Sequence, residues 1–139
     1  MAAQARNITL LAETTVTAAV SATVTAEIVF DPKVIKTATM YGVLTYGSGG
    51  TDLPAFLQTS LDGGLTWTDI ICLRWATTTE NRVASVSRYS ARAVAVGTTG
   101  ALSDNSVLDG VLGDRVRLSW SSTGTYGGST TIKIDLILG

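Results

Sequence analysis

Two stretches in the last quarter of the sequence alternate apolar and polar residues. Their apolar positions are Val116, Leu118 and Trp120 in the first stretch, and Ile132, Ile134, Leu136 and Leu138 in the second. Because successive side chains of a β-strand point to opposite faces, this alternation predicts two strands with one face in the core and the other in water. The turn-rich segment from Thr123 to Gly128 separates them, so we expect a β-hairpin here.

Threonine and valine are abundant throughout the chain, and apolar stripes with the period of a helix are nearly absent. β-Branched side chains pack well on pleated surfaces and lose rotamer freedom in helices, so the rest of the chain is expected to be β-structure as well. The further candidate strands are Ile8–Ala12, Thr23–Phe30, Lys36–Tyr46, Ala55–Ser60, Trp67–Trp75, Arg82–Tyr89 and Arg92–Val96.

The number and spacing of these strands predict the fold class. About eight to nine short strands in one domain are typical of an all-β, two-sheet antiparallel sandwich, and we favour a jelly roll among such sandwiches. The 139 residues are expected to form a single domain, since a chain of this length builds one hydrophobic core.

Two segments allow more than one interpretation. Residues 1–25 are rich in alanine and threonine and could form a first strand pair, or an extended arm over residues 1–20 that orders on a partner; we favour an arm followed by a strand. Residues 97–114 contain four glycines and scattered apolar side chains, so this long loop is either packed down or a contact loop.

The composition predicts association with other proteins. Apolar residues make up 45% of the chain and charged residues only 15%, whereas soluble domains average about 25% charged residues. Charged residues are depleted in the buried centres of protein interfaces, so we expect a homo-oligomer, and a dimer is the commonest form.

The charges also argue against other partners. Ten basic and eleven acidic residues nearly cancel and form no block, so neither nucleic acid nor a membrane surface is an expected partner. No apolar stretch is long enough to span a bilayer. The short apolar run at Ile8–Ala12 is not preceded by a basic region suited to export and ends at Glu13, so we expect no signal peptide.

The chain lacks the residues that most hydrolytic sites require. It contains no histidine, which excludes Ser-His-Asp and Cys-His arrangements and imidazole metal ligands. The single cysteine, Cys72, lies in an apolar run and is expected to be buried. Asp104 with Asp109, or Asp109 with Asp114, could form a carboxylate pair that holds calcium, but they lack the ligand spacing of a known calcium loop, so turn formation is favoured. We therefore expect no metal and no cofactor, and the missing catalytic residues argue against an enzyme.

One motif is complete: Ser60, Asp62, Gly64, Thr66 and Trp67 form the pattern S-x-D-x-G-x-T-W, which resembles the Asp-box of sialidases. We expect a tight hairpin in which Asp62 accepts hydrogen bonds from turn amides, and in which Gly63 and Gly64 adopt positive φ. The indole of Trp67 would cover the turn. In sialidases the box recurs once per propeller blade, away from the catalytic centre, so a single copy here predicts a structural turn and no activity.

The aromatic residues offer a second interpretation. Trp67, Trp75 and Trp120, with Tyr41, Tyr46, Tyr89 and Tyr126, could form a sugar-stacking platform like that of carbohydrate-binding sandwiches. Trp75 and Trp120 have apolar neighbours, so core packing explains these two better.

Three blocks of the sequence carry a resemblance to a family. They are Phe56–Gly64 with Trp67, the segment from Leu112 to Arg117, and the turn from Thr123 to Gly128. In these blocks the chain resembles small virion proteins of tailed bacteriophages, above all the jelly-roll cement, or decoration, proteins of short-tailed phages that infect Bordetella.

The resemblance implies a structural role in the virion. Such a protein is made in the host cytoplasm, binds the outside of the capsid and cross-links neighbouring subunits of the major capsid protein, as a dimer at two-fold positions. A tail, collar or fibre subunit is an alternative within the virion. A carbohydrate-binding module for host glycan is an alternative of a different class.

Overall fold

The protein folds entirely into β-strands and loops in the computed structural model, which describes residues 6–139. The strands are β1 (Arg6–Thr15), β2 (Thr23–Val24), β3 (Ile28–Val29), β4 (Thr37–Thr45), β5 (Ser48–Gly49), β6 (Leu53–Ser60), β7 (Thr68–Trp75), β8 (Glu80–Ser87), β9 (Ser106–Val107), β10 (Arg115–Trp120), β11 (Tyr126–Gly127) and β12 (Thr131–Leu138). The all-β class predicted from the sequence is therefore confirmed.

The strands form two antiparallel sheets in a sandwich-like arrangement. The small sheet has the strand order β1-β12-β4-β8, and the large sheet has the order β2-β10-β6-β7-β9, with β3 also paired to β10. The short strands β5 and β11 form a separate pair. The predicted two-sheet antiparallel sandwich is confirmed, whereas the jelly-roll arrangement stays a prediction.

The core lies between the two sheets. Alternate residues of β4 and β12 line it from the small sheet, and residues of β6, β7 and β10 line it from the large sheet. Trp75 and Trp120 are buried there, as predicted, and Cys72 is also buried. At Gly42 in β4 the backbone passes directly against the Trp75 ring, so no side chain would fit at this position.

The predicted C-terminal hairpin is wrong. Strand β10 pairs with β6 in the large sheet, while β12 pairs with β1 and β4 in the small sheet. The residues between them therefore cross from one sheet to the other. Each strand has one apolar face, as the alternation predicts. However, the apolar face of β10 and that of β12 face each other across the core, and the two strands are not neighbours in one sheet.

Two other strand predictions also need correction. The predicted strand Thr23–Phe30 is divided into β2 and β3, which pair with opposite ends of β10. Arg92–Val96 forms no strand, and its side chains are exposed to solvent. Its alternating alanine and valine residues favour a β-conformation, but no neighbouring strand pairs with it within residues 6–139.

The N-terminal segment forms an edge strand over most of its described length. Residues 1–5 of the predicted arm lie outside the described residues. Arg6–Thr15 is β1, which pairs with β12 and changes register twice, after Thr9 and after Leu11. The remaining part of the predicted arm, residues 16–20, follows this strand without forming another.

Candidate interaction surfaces

The hairpin between β6 and β7 contains the predicted Asp-box. Ser60 Oγ donates to Asp62 Oδ1 at 2.8 Å and accepts a hydrogen bond from Gly64 N at 2.8 Å. Asp62 in turn accepts from the amide of Thr66 at 2.9 Å and from its hydroxyl at 2.5 Å. The hydrogen bonds from Thr66 are the main reason that the pKa of Asp62 is lowered to about 2.

The backbone of this turn has the predicted conformation. Gly63 and Gly64 have φ angles of 77° and 94°, which side-chain-bearing residues rarely adopt. The ring of Trp67 is partly buried and lies beneath the guanidinium of Arg117, whose Cζ is 4.4 Å from the ring centroid. The turn is thus held by its own polar groups on one side and by a cation–π contact on the other.

A buried carboxylate that the sequence did not single out holds down the long loop after β8. Asp69 is fully buried in β7 and accepts hydrogen bonds from the backbone amides of three consecutive residues, at 2.8, 2.9 and 3.1 Å. These residues are Gly100, Ala101 and Leu102. Thr98 Oγ1 also donates to Asp69, at 2.9 Å. The carboxylate therefore fixes the loop against the large sheet.

The same carboxylate connects the loop to the Asp-box hairpin. Gln58 Nε2 donates to Asp69 Oδ1 at 2.9 Å, and Arg117 Nε donates to Gln58 Oε1 at 2.8 Å. Arg117 stacks on Trp67, which completes a continuous series of contacts across the outside of the large sheet. Burial lowers the pKa of Arg117. Because these polar side chains bind one another and the loop backbone, we interpret the network as structural.

The three aspartates of the long loop do not converge on one site. Asp104 pairs with Arg74 at 2.8 Å, and Asp114 pairs with the arginine that follows it. Asp109 accepts a hydrogen bond from the backbone amide of Ser87 at 2.7 Å, and this bond contributes most to lowering its pKa. Among residues 6–139, no group of three histidine, cysteine or acidic side chains is arranged to hold a metal ion.

The outer face of the small sheet is a regular surface that presents alternate residues of three neighbouring strands. It is formed by Thr39, Tyr41 and Val43 of β4, Asn81, Val83 and Ser85 of β8, and Lys133, Asp135 and Ile137 of β12. Tyr41, Val83 and Ile137 are exposed on it, and Val83 lies directly opposite Tyr41. Its two charged residues from these strands, Lys133 and Asp135, pair with each other at 3.7 Å. This face therefore combines exposed apolar side chains with uncharged polar ones, and its net charge is close to zero.

Two further pairs of strongly exposed apolar side chains lie away from this face. Leu61 and Leu65, at the tip of the Asp-box hairpin, are 69% and 84% exposed. Val94 and Val96, in the segment that follows β8, are fully or almost fully exposed. Both pairs are separate from the outer face of the small sheet. The other exposed large hydrophobic residues are Val24, Val29, Val34, Tyr89 and Val107.

The aromatic residues are divided between the core and the surface. Trp75, Trp120 and Tyr126 are buried, and Trp67 is covered by Arg117. Tyr46 packs edge to face against Tyr126, with 6.3 Å between the ring centroids. Tyr41 and Tyr89 are the exposed aromatic residues of the described chain. The seven tryptophans and tyrosines considered from the sequence therefore do not form one shared platform.

The class that the fold defines is an all-β antiparallel sandwich with exposed apolar surfaces. Comparisons with protein-family models, with curated proteins and with solved structures found no match. The described part of the chain contains no helix that could cross a lipid bilayer.

Proposed function

We propose that this chain is a structural protein that acts by binding other proteins. In its specific form, the proposal is a jelly-roll cement protein that binds the outside of a phage capsid and cross-links neighbouring major capsid subunits. The observation that carries the proposal is the separation of the exposed apolar side chains into different parts of the fold. The sequence resemblance to phage cement proteins supports the specific form.

The outer face of the small sheet is suited to binding a protein surface. Burying a fully exposed apolar side chain contributes about 1.5–3 kcal/mol. Tyr41, Val83 and Ile137 are 38%, 64% and 42% exposed, so each would contribute a part of that amount. Few charges would have to be desolvated, because Lys133 and Asp135 already pair with each other. A broad, nearly neutral face of this kind favours a protein partner over nucleic acid or a charged lipid surface.

A cross-linking role requires a second site. The hairpin tip with Leu61 and Leu65 belongs to the large sheet, whereas the outer face belongs to the small sheet. Two contacts made by one rigid domain can each be weak and still bind strongly together. A capsid offers the same pair of neighbouring sites many times, so modest contacts would reinforce the whole shell.

The test uses phage heads that lack this chain and purified protein that is added back. We expect depleted heads to keep their shape but to release DNA at a lower temperature, and added protein to restore resistance with saturable stoichiometry. Ile137→Asp should weaken binding about tenfold or more by placing a charge in the outer face. Leu65→Asp should impair reinforcement by removing the second contact.

A matched control and three outcomes decide the proposal. Val34→Asp makes the same change at an exposed valine outside both sites and should reinforce heads like the wild type. Depleted heads as robust as complete ones would contradict the cement role. If the protein is found only on the tail, a tail, collar or fibre subunit replaces it, and specific binding to host glycans would favour the carbohydrate-binding alternative.

A further inference from the structure

The segment after β8 and the outer edge of β8 both carry backbone groups that pair with no other strand. We propose that Arg92–Val96 of one copy adds as a strand to the β8 edge of a second copy, and that the second copy returns the same contact. This interface uses main-chain groups at the sheet edge. Capsid binding through the outer face would use side chains of the same strand, so the two proposals are tested by different measurements.

The proposed donor strand is Arg92–Val96. All of its residues are exposed, and Val94 and Val96 are 103% and 90% exposed. No backbone group of residues 94–96 is hydrogen-bonded within the described chain. Exposed valines and unpaired backbone groups in a β-prone sequence form a template for pairing with another strand.

The proposed acceptor is the edge of β8. Arg88 N donates to Lys36 O on the β4 side, and Ser87 N is turned the other way, toward Asp109. Because backbone groups alternate in direction along a strand, the N–H and C=O groups of Asn81, Val83 and Ser85 also face away from β4. Strand β8 ends the small sheet within residues 6–139, so no strand is hydrogen-bonded to these groups, and the short strand β9 of the large sheet lies near them across a groove.

A groove runs beside this edge. Its volume is about 320 Å³, and it is lined by Leu73 and Asn105 of the large-sheet side and by Asn81, Arg82, Val83 and Ala84 of β8. Arg82 Nε is buried and has no hydrogen-bond partner in the described chain. If Val94 lies opposite Val83, the small side chains of Ala93 and Ala95 face the groove, since alternate residues of a strand point to the same side.

The segment cannot easily pair with the β8 of its own chain. Beyond the segment, Thr98 is tied to Asp69 by two hydrogen bonds, and Thr99 Oγ1 donates to Trp67 O. Before the segment, Ser87 is held by Asp109. These attachments carry the segment from the end of β8 to the start of β7, away from the edge between Asn81 and Ser85.

A second copy is the occupant that the chain itself supplies. Donor and acceptor each span five residues, or about 17 Å at the usual strand rise. One chain carries both, so two copies can exchange strands reciprocally and leave neither surface open, which is how closed dimers form. The main-chain hydrogen bonds would supply the affinity, and the groove would supply the specificity.

The test measures self-association of the full chain by analytical ultracentrifugation over micromolar to millimolar concentrations. Wild type is expected to dimerise. Val94→Pro removes an amide donor from the donor strand, and Val83→Pro removes one from the free edge, where proline is tolerated because the amide does not pair with β4. Each variant alone should dimerise about tenfold more weakly or worse. Val94→Thr keeps the amide and the β-propensity, so it should dimerise like the wild type.

Mixing the two proline variants distinguishes strand exchange from a general loss of folding in either variant. Val94→Pro retains a good edge and Val83→Pro retains a good donor, so the mixture should form a heterodimer more tightly than either variant associates alone. A monomeric wild type, a mixture no better than its components, or normal dimerisation of Val94→Pro would each overturn the inference. If Val94→Pro dimerises normally and Val83→Pro does not dimerise, the result would indicate that the β8 edges of two copies pair directly with each other. If the wild-type protein is monomeric and still reinforces heads, the proposed strand exchange is refuted and the proposed cement function is not.

Discussion

Replacing the buried carboxylate of Asp69 should loosen the long loop and destabilise the domain. In Asp69→Asn one of the two oxygens becomes an NH₂ group, which cannot accept the hydrogen bonds that it now receives. Oδ1 accepts from Gln58 and Gly100, and Oδ2 accepts from Thr98, Ala101 and Leu102. Either orientation of the amide therefore leaves at least two donors without an acceptor.

The expected loss follows from these donors. Each buried donor left without a partner costs about 1–3 kcal/mol, and the loop can relax toward water, which favours the lower part of that range. We expect Asp69→Asn to reduce the free energy of unfolding by about 2–4 kcal/mol, a large share of the roughly 5–15 kcal/mol typical of a domain.

Urea unfolding followed by tryptophan fluorescence measures this loss, and hydrogen exchange locates it. The amides of Gly100, Ala101 and Leu102 should exchange faster in the variant than its global unfolding explains. Core amides in β6 should exchange only as fast as the variant unfolds globally. Asp104→Asn removes the same charge from the same loop, but Asp104 is 59% exposed, so its effect should stay within about 0.5 kcal/mol. An unchanged unfolding midpoint and unchanged protection at residues 100–102 would show that Asp69 does not hold the loop.

Three further predictions concern single positions. The pKa of Asp62 is about 2, below its ordinary value of 3.8, so its contribution to stability is present above about pH 4 and is lost as the pH falls toward 2; Asp62→Asn should flatten this part of a thermal-melting profile. Gly42→Ala places a methyl group against the buried ring of Trp75 and should cost about 1–3 kcal/mol in urea unfolding, whereas unchanged stability would show that the core yields there. Burial raises the pKa of Cys72 from 9.0 to about 11, so a thiol reagent should modify native protein about a hundredfold or more slowly than unfolded protein; equal rates would mean that the thiol is accessible.

The sequence predicted the local geometry of strands well and their partners poorly. The alternation in β10 and β12 correctly indicated the apolar side chains that are buried, but it placed Ser119 in water, and this side chain is buried. It could not indicate that the two strands lie in different sheets, because a strand with one apolar face fits equally well on either side of a core. The Arg92–Val96 prediction was wrong for a related reason. Alanine and valine favour extended backbone, but a strand also needs a neighbour.

The candidate sites divide in the same way. The Asp-box turn was predictable because Ser60, Asp62 and Thr66 interact within seven residues of one another. The role of Asp69 was not, since its partners in the loop lie 29 to 33 residues further along the chain. An aspartate beside two isoleucines in a predicted strand was the available signal, because an acid at such a position needs buried donors.

The pairing of β1 with β12 affects how the chain can fold during synthesis. Arg6–Thr15 leaves the ribosome before Thr131–Leu138, which form its only neighbour in the described sheet. Until those residues have been synthesised, β1 has no strand to pair with, because β12 lies between β1 and β4 in the small sheet. Folds dominated by such distant pairings form slowly. Between the synthesis of β1 and that of β12, the apolar residues of β1 are therefore expected to stay exposed, which favours their binding by chaperones.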